Sequence, residues 1–161
     1  MLASLSTMTW IHTLLSLVGI ASGIVVAWGL LSSRLMGGWS ALFLASAVLT
    51  SVTGFLLPAA AFGPSHWVGV ISLVLLALAL LARYALHLSG AGRWIYAVGV
   101  MLAVYFLFFV GVAQLFAKVP ALHALAPTQV EPPFAIAELG LLVLFVILTI
   151  AAAARFRPHT V

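Results

Sequence analysis

The sequence has very few charged residues and no cysteine. Of its 161 residues 5% are charged and 66% are hydrophobic, and the mean hydropathy is +1.35. A soluble domain carries about 25% charged residues, so this chain has too little charge to cover a water-facing surface, and a soluble globular fold is excluded. The lack of cysteine also excludes disulfides, thiolate catalysis and cysteine metal sites.

Acidic residues are almost absent as well. The chain has two glutamates and no aspartate, which excludes an aspartate-based catalytic triad. No phosphate-binding loop, Gly-rich dinucleotide fingerprint or H-E-x-x-H motif is present. We therefore assign no catalytic residue and favour a non-enzymatic function. The residues leave a Ser–His–Glu arrangement open, but no nucleophile-elbow sequence marks one. Six basic residues are too few to form a nucleic-acid-binding patch.

What the chain does have is long apolar runs. A helix needs about 20 residues to cross roughly 30 Å of hydrocarbon, and five runs are long enough: 9–31, 38–57, 66–88, 93–117 and 133–154. These runs lack the alternation of transmembrane β-strands, and no proline interrupts their interiors. We predict an all-α, polytopic transmembrane helix bundle that forms a single integral membrane domain over residues 1–161.

The distribution of basic residues predicts the orientation of this bundle. Five of the six fall on one side: Arg34, Arg83, Arg93, Arg155 and Arg157. The other side has only Lys118, in the loop that also holds Glu131. Short cytoplasmic loops are enriched in Lys and Arg, so we expect the N-terminus outside and the C-terminus inside, in a bacterial inner membrane. Tryptophans lie near both ends of the predicted spans, as in an aromatic belt.

Small residues form stripes on the predicted helices. The first span has Gly19 and Gly23 in G-x-x-x-G spacing, and the second has Ala47, Thr50 and Gly54 on one face. Helices in lipid associate through small residues that allow close packing. We therefore predict that these stripes are packing seams.

The loop at 118–132 is the only long one, and it is largely apolar. Pro120 favours the start of a short helix and Pro127 favours its end. The sequence allows either a lid over the bundle or a simple connector.

Titratable groups inside a membrane are candidates for function. Glu138 lies about five residues into the last span, so we expect its carboxyl group to be protonated, paired with another group or in contact with a wet cavity. By the predicted topology His12 and His66 lie in the same outer half, together with Thr50 and Gln114. These five residues are the predicted binding site. If a metal binds, His12 and His66 are its ligands.

The residue types allow several ligands at this site. Two facing histidines are able to ligate haem iron, as in haem b, and the same polar groups are able to hydrogen-bond a quinone or relay protons. The residues that contact the ligand would come from separate helices. Their spacing in the sequence therefore does not distinguish a haem site from a quinone site or a proton relay. The simpler interpretation, which the sequence favours over a metal or haem site, is that these histidines lie in the membrane interface and hydrogen-bond water and lipid headgroups.

Three functions remain open from the sequence alone. The first is a bundle that binds a lipophilic or redox cofactor. The second is a subunit of a membrane complex, with the bilayer and other membrane subunits, or further copies of this chain, as partners. The third is a proton-coupled small-solute transporter or channel in which Glu138 binds the proton.

Overall fold

The computed structural model describes residues 2–57 and 62–158, and within these ranges all regular secondary structure is helical. Its α-helices are α1 (Leu2–Leu31), α2 (Gly37–Leu56), α3 (Pro64–Leu80), α4 (Gly92–Lys118), α5 (Pro120–Leu125) and α6 (Pro132–Arg155). Five helical segments are long and apolar enough to cross a membrane: α1, α2, α4, α6, and α3 together with the π-helical turn that follows it, over Pro64–Ala85. The predicted all-α class is confirmed, and the five apolar helices are compatible with an integral membrane protein.

Prolines start three of the helices. Pro64, Pro120 and Pro132 occupy the first turns of α3, α5 and α6. A proline is tolerated there because the first amides of a helix have no intrahelical acceptor. The short helix that the sequence predicts between Pro120 and Pro127 is present as α5.

The third apolar helix ends earlier than the sequence predicts. After α3 the chain makes a π-helical turn over Leu81–Ala85, and the next residues leave the helix. His87 and Leu88 have positive φ angles of 49° and 56°, and the Leu88 amide donates to the carbonyl oxygen of Ala82 (3.0 Å). His87 therefore lies in a turn rather than within the predicted span 66–88.

The helices form a ring of four with a fifth helix outside it. In the ring, α1 contacts α2, α2 contacts α3, α3 contacts α4, and α4 returns to α1. Helix α6 packs on the outside, mainly against α4 and also against α1. The space enclosed by the ring is therefore bounded by α1 to α4.

One end of the ring is solidly packed, and we call it the arginine end because all five arginines lie there: Arg34, Arg83, Arg93, Arg155 and Arg157. The largest fully buried side chains lie in this half or at mid-height: Tyr96, Phe43, Phe156, Leu30, Leu76 and Met101. Hydrogen bonds tie the helix ends together here. Arg83 donates to the Tyr96 hydroxyl (3.1 Å), and Arg93 donates to the carbonyl oxygen of Phe156 (3.0 Å).

Glycines bring α1 close to its neighbours. A Cβ atom on Gly23 would lie 3.1 Å from side-chain atoms of both Phe43 and Val104, and one on Gly19 would lie 3.0 Å from Leu107. These distances leave no room for a larger side chain. The predicted seam at Gly19 and Gly23 is a close contact of α1 with α2 and α4.

Candidate ligand-binding cavity

The opposite end of the ring, which we call the Lys118 end, is hollow. A cavity of about 670 Å³ lies between α1, α2, α3 and α4. Its floor lies near Ile20, Ala47, Leu76 and Ala103, and its mouth lies near Lys118. This volume is in the range of pockets that hold drug-sized ligands, about 300–1,000 Å³.

The cavity exists because small side chains line the walls where large ones fill the arginine end. Gly54 and Ser51 of α2, Gly69 and Ser72 of α3, and Gly111 of α4 all line it. The small-residue stripe of α2 was predicted to be a packing seam along its length. At the Lys118 end the same stripe lines the cavity, because the facing helices do not pack closely against it there.

Four of the five residues predicted to form a site line this one cavity. These are His12, Thr50, His66 and Gln114, and each comes from a different helix of the ring. The fifth, Glu138, does not line it, because it lies on α6 outside the ring. His123 lies on α5 and also does not line the cavity.

The His12 ring is held by Thr53 of α2. Its Nδ1 atom lies 3.0 Å from Thr53 Oγ1, and the same hydroxyl oxygen lies 2.7 Å from the carbonyl oxygen of Leu49. A carbonyl oxygen only accepts, so the single hydroxyl proton of Thr53 points to the backbone and the hydroxyl oxygen accepts from Nδ1–H. In neutral His12 the Nε2 atom then has a free lone pair.

The His66 ring is held in the opposite tautomer. The Gly63 amide at the start of α3 donates to Nδ1 of His66 (3.1 Å). Because an amide only donates, Nδ1 has no proton and the neutral ring carries its proton on Nε2. Phe62 stacks on the ring with centroids 4.9 Å apart, and Phe55 lies 5.7 Å away. These contacts fix the position of the ring.

Further polar groups lie around the same cavity. Thr50 is buried, and within the described ranges its hydroxyl oxygen has no hydrogen-bond partner. Buried polar groups are nearly always paired, so this hydroxyl is a candidate contact for a ligand. Gln114 and Lys118 are exposed at the mouth of the cavity. No acidic side chain lines the walls.

Glu138 lies in the contact between α6 and α4. Its side chain is 9% exposed, and neither carboxyl oxygen has a hydrogen-bond partner among the described residues. Tyr105 of α4 is close enough to interact with it electrostatically. One turn away along α6, Phe134 packs edge-on against Phe116 of α4, with centroids 5.4 Å apart. The carboxyl group therefore has no ion pair here and does not reach the cavity wall.

The loop between α4 and α6 packs away from the cavity. Gln129 Nε2 donates to the carbonyl oxygen of Ala113 on α4 (2.7 Å), and Glu131 accepts from the amides of Thr128 and Val130 and from the Thr128 hydroxyl. No residue from 119 to 131 lines the cavity. In this structure the loop connects α4 and α6 and does not cover the cavity.

No cluster of three or more His or Glu side chains suited to a metal ion occurs in the ranges 2–57 and 62–158. Among the described residues, a metal at this site would have at most two histidine ligands. Nε2 of neutral His66 carries a proton, because Nδ1 accepts from the Gly63 amide, and a protonated nitrogen has no lone pair for a metal.

The sequence predicts the polar residues that line the cavity as contacts, but it gives no indication of the groups that orient them. Gly63, Phe55 and Phe62 position His66, and Lys118 marks the mouth. One feature of the sequence is compatible with a cavity: small and polar residues occur at the same depth on four helices. Comparisons with models of known protein families, with curated protein sequences and with solved structures found no match, so the assignment of a function depends on this geometry.

Proposed function

We propose that this protein is an integral membrane protein that binds a lipophilic ligand with a polar head in the cavity at the Lys118 end. One observation carries the proposal: the ring of α1 to α4 is filled at one end and encloses about 670 Å³ at the other. The walls are mostly apolar, and a few polar groups converge near the mouth. Ligand pockets usually combine these two features.

The proposed topology places the cavity in the outer leaflet of a bacterial inner membrane. The five apolar helices then cross the bilayer, with the N-terminus outside and the C-terminus inside. The five arginines at the end opposite the cavity support this orientation by the positive-inside rule. All five tryptophans are exposed, as expected for side chains in a membrane interface.

The polar groups support a specific ligand rather than bulk lipid. His12, His66 and Thr50 each have hydrogen-bonding capacity that the described residues leave unused. A cofactor such as haem or a quinone, proposed from the sequence, would place its polar atoms among these groups. Its apolar part would lie against the walls toward Leu76 and Ala103.

Proton-coupled transport has less support as the function. In that hypothesis Glu138 is the proton-binding group of the solute pathway, but Glu138 does not line the cavity. Its carboxyl group is buried and has no hydrogen-bond partner among the described residues. We therefore assign binding to the cavity and give Glu138 no part in it.

The test compares two substitutions on different faces of α2. Ser51→Phe places a bulky ring in the cavity, whereas Ala45→Phe places the same ring on an exposed face outside it. Native mass spectrometry of each purified variant measures how much amphiphile stays bound per chain. We expect retention in the wild type and in Ala45→Phe and loss in Ser51→Phe. Equal retention in all three proteins would contradict a ligand in this cavity.

A further inference from the structure

The two cavity histidines present opposite hydrogen-bonding groups to a ligand. In each ring the Nδ1 atom is engaged by the protein, with Thr53 for His12 and with the Gly63 amide for His66. The His12 ring has one further contact, with the backbone carbonyl of Thr50, which lies beside the same Thr53 hydroxyl. Among the described residues no hydrogen bond to the Nε2 atom of either ring is found. From the assignments above, Nε2 of neutral His12 accepts a hydrogen bond and Nε2–H of His66 donates one.

This pair does not suit bis-histidine coordination of haem iron. A histidine that ligates a metal through Nε2 needs its proton on Nδ1, where it usually donates to a second group. His12 meets this requirement through Thr53. His66 does not, because a proton on Nδ1 would oppose the Gly63 amide at 3.1 Å and break the hydrogen bond at the start of α3.

The two histidines also disfavour a ligand whose polar head has hydrogen-bond acceptors but no donor. A fully ionised carboxylate or a quinone offers acceptor oxygens, which suit His66 but leave the lone pair of neutral His12 unpaired. A hydroxyl group donates to His12, and a second oxygen accepts from His66. Thr50, whose buried hydroxyl lacks a partner, is able to pair with either kind of oxygen.

The walls favour an aromatic head over an aliphatic one. Phe55 beside His66, together with Phe106 and Phe108 of α4, lines the cavity. Rings pack well against rings in offset or edge-on arrangements. The two histidines come from α1 and α3, which are separated by α2, so the oxygens that reach them belong on well-separated positions of the head.

Resting on the proposed function, we propose that the ligand head is a ring bearing two oxygens, at least one of them a hydroxyl, as in a quinol. The hydroxyl donates to Nε2 of His12, and the other oxygen accepts from Nε2–H of His66. The ligand's alkyl tail lies along the apolar wall. The proposal concerns binding alone and involves no electron transfer.

The test uses one probe in two forms, a decyl-substituted benzoquinol and the corresponding benzoquinone. The quinol has hydroxyls, whereas the quinone has only carbonyl acceptors. We expect the wild-type protein to bind the quinol about 5- to 150-fold more tightly, since an acceptor left unpaired on desolvation has a cost of this order. The measurement is the Kd of each form in detergent, with the quinol kept reduced under anaerobic conditions.

His12→Phe should remove the preference for the quinol, because it removes the acceptor that needs the hydroxyl. His123→Phe is the matched control, since His123 lies on α5 outside the cavity, and it should keep the preference. Folding of both variants is checked by elution as a single species. If His12→Phe does not fold, His12→Leu is used, which also removes the acceptor and should also lose the preference. The dimethyl ether of the quinol, which cannot donate, should bind the wild type as weakly as the quinone.

Two results would overturn the inference while leaving the proposed function in place. One is equal affinity of the wild type for quinol and quinone, or no binding of either form by a protein that still retains an amphiphile. The other is a haem spectrum on titration with haemin that is lost in both His12→Phe and His66→Leu. If no amphiphile is retained and no probe binds, the proposed function fails as well.

Discussion

At the scale of single residues, the proton positions on His12 and His66 matter more than the presence of two histidines. Their ring nitrogens are distinguished by what holds them, a threonine hydroxyl in one case and a backbone amide in the other. The sequence predicted both residues as contacts, but it did not predict their roles. The partners are Thr53, 41 residues away from His12, and Gly63 at a helix start.

Glu138→Leu should stabilise the protein. The carboxyl group is buried against α4 without a hydrogen-bond partner in the described ranges, and such a group costs about 1–3 kcal/mol. A leucine of similar size removes that cost, so the free energy of unfolding in detergent should rise by about this amount. Quinol affinity should not change, because Glu138 does not line the cavity. Destabilisation by Glu138→Leu, with Glu138→Gln as the polar control, would mean that the carboxyl has a partner outside this chain.

Glu131 should make the loop between α4 and α6 sensitive to acid. Loss of hydration acts to raise the pKa of Glu131, but hydrogen bonds from the Thr128 hydroxyl and from nearby backbone amides outweigh it and hold the pKa below its ordinary value of 4.5. The carboxylate therefore adds stability that is fully present above about pH 4.5 and is lost as the pH falls through the lower, folded-state pKa.

The measurement is the unfolding midpoint of the wild type and of Glu131→Gln at several pH values. The midpoint of the variant should be lower at pH 7, and the difference should shrink in acid. Thr128→Val, which removes the hydroxyl donor, should show a smaller difference with the same direction. A difference between wild type and Glu131→Gln that grows as the pH falls would contradict the role assigned to Glu131.

At the scale of helices, the apolar runs and prolines were sufficient to predict the elements. The five long helices and the short α5 form near the predicted positions, although α1 begins at Leu2 rather than at the predicted residue 9. The end of the third helix was predicted less well, since an apolar run continues to Leu88 while the backbone turns at His87. The hydrophobic pattern does not predict positive φ angles at residues other than glycine, and for this reason the predicted span runs past the actual end of the helix.

Gly23→Leu should destabilise the bundle by about 1–3 kcal/mol, the usual cost of overpacking. Its Cβ would lie 3.1 Å from both Phe43 and Val104, so either α2 or α4 would have to move. The matched control is Gly140→Leu on α6, where a Cβ meets nothing within 4 Å. Thermal unfolding in detergent measures both, and we expect the control to stay within about 0.5 kcal/mol of the wild type. Equal effects in the two variants would mean that the ring of α1 to α4 is not packed as described.

At the scale of the whole molecule, the uneven filling of the ring is the main finding. Large buried side chains such as Phe43 and Tyr96 fill the arginine end, whereas Gly54, Gly69 and Ser51 leave the Lys118 end open. The sequence predicted that His12, His66, Thr50 and Gln114 lie at one depth. It did not predict a cavity, because small residues are equally typical of tight helix contacts, and only the separation of the helices distinguishes the two.

The absence of cysteine allows the cavity and its side of the membrane to be tested together. Ser51→Cys places a thiol on the cavity wall, and Ala45→Cys places one on an exposed face of the same helix. The measurement is the rate of modification by a water-soluble thiol reagent added outside intact cells. We expect Ser51→Cys to react and to be protected by the decyl quinol, and Ala45→Cys to be unreactive because it faces lipid. Equal rates at the two positions, or reaction of Ser51→Cys only from the cytoplasmic side, would contradict an outward-facing ligand cavity.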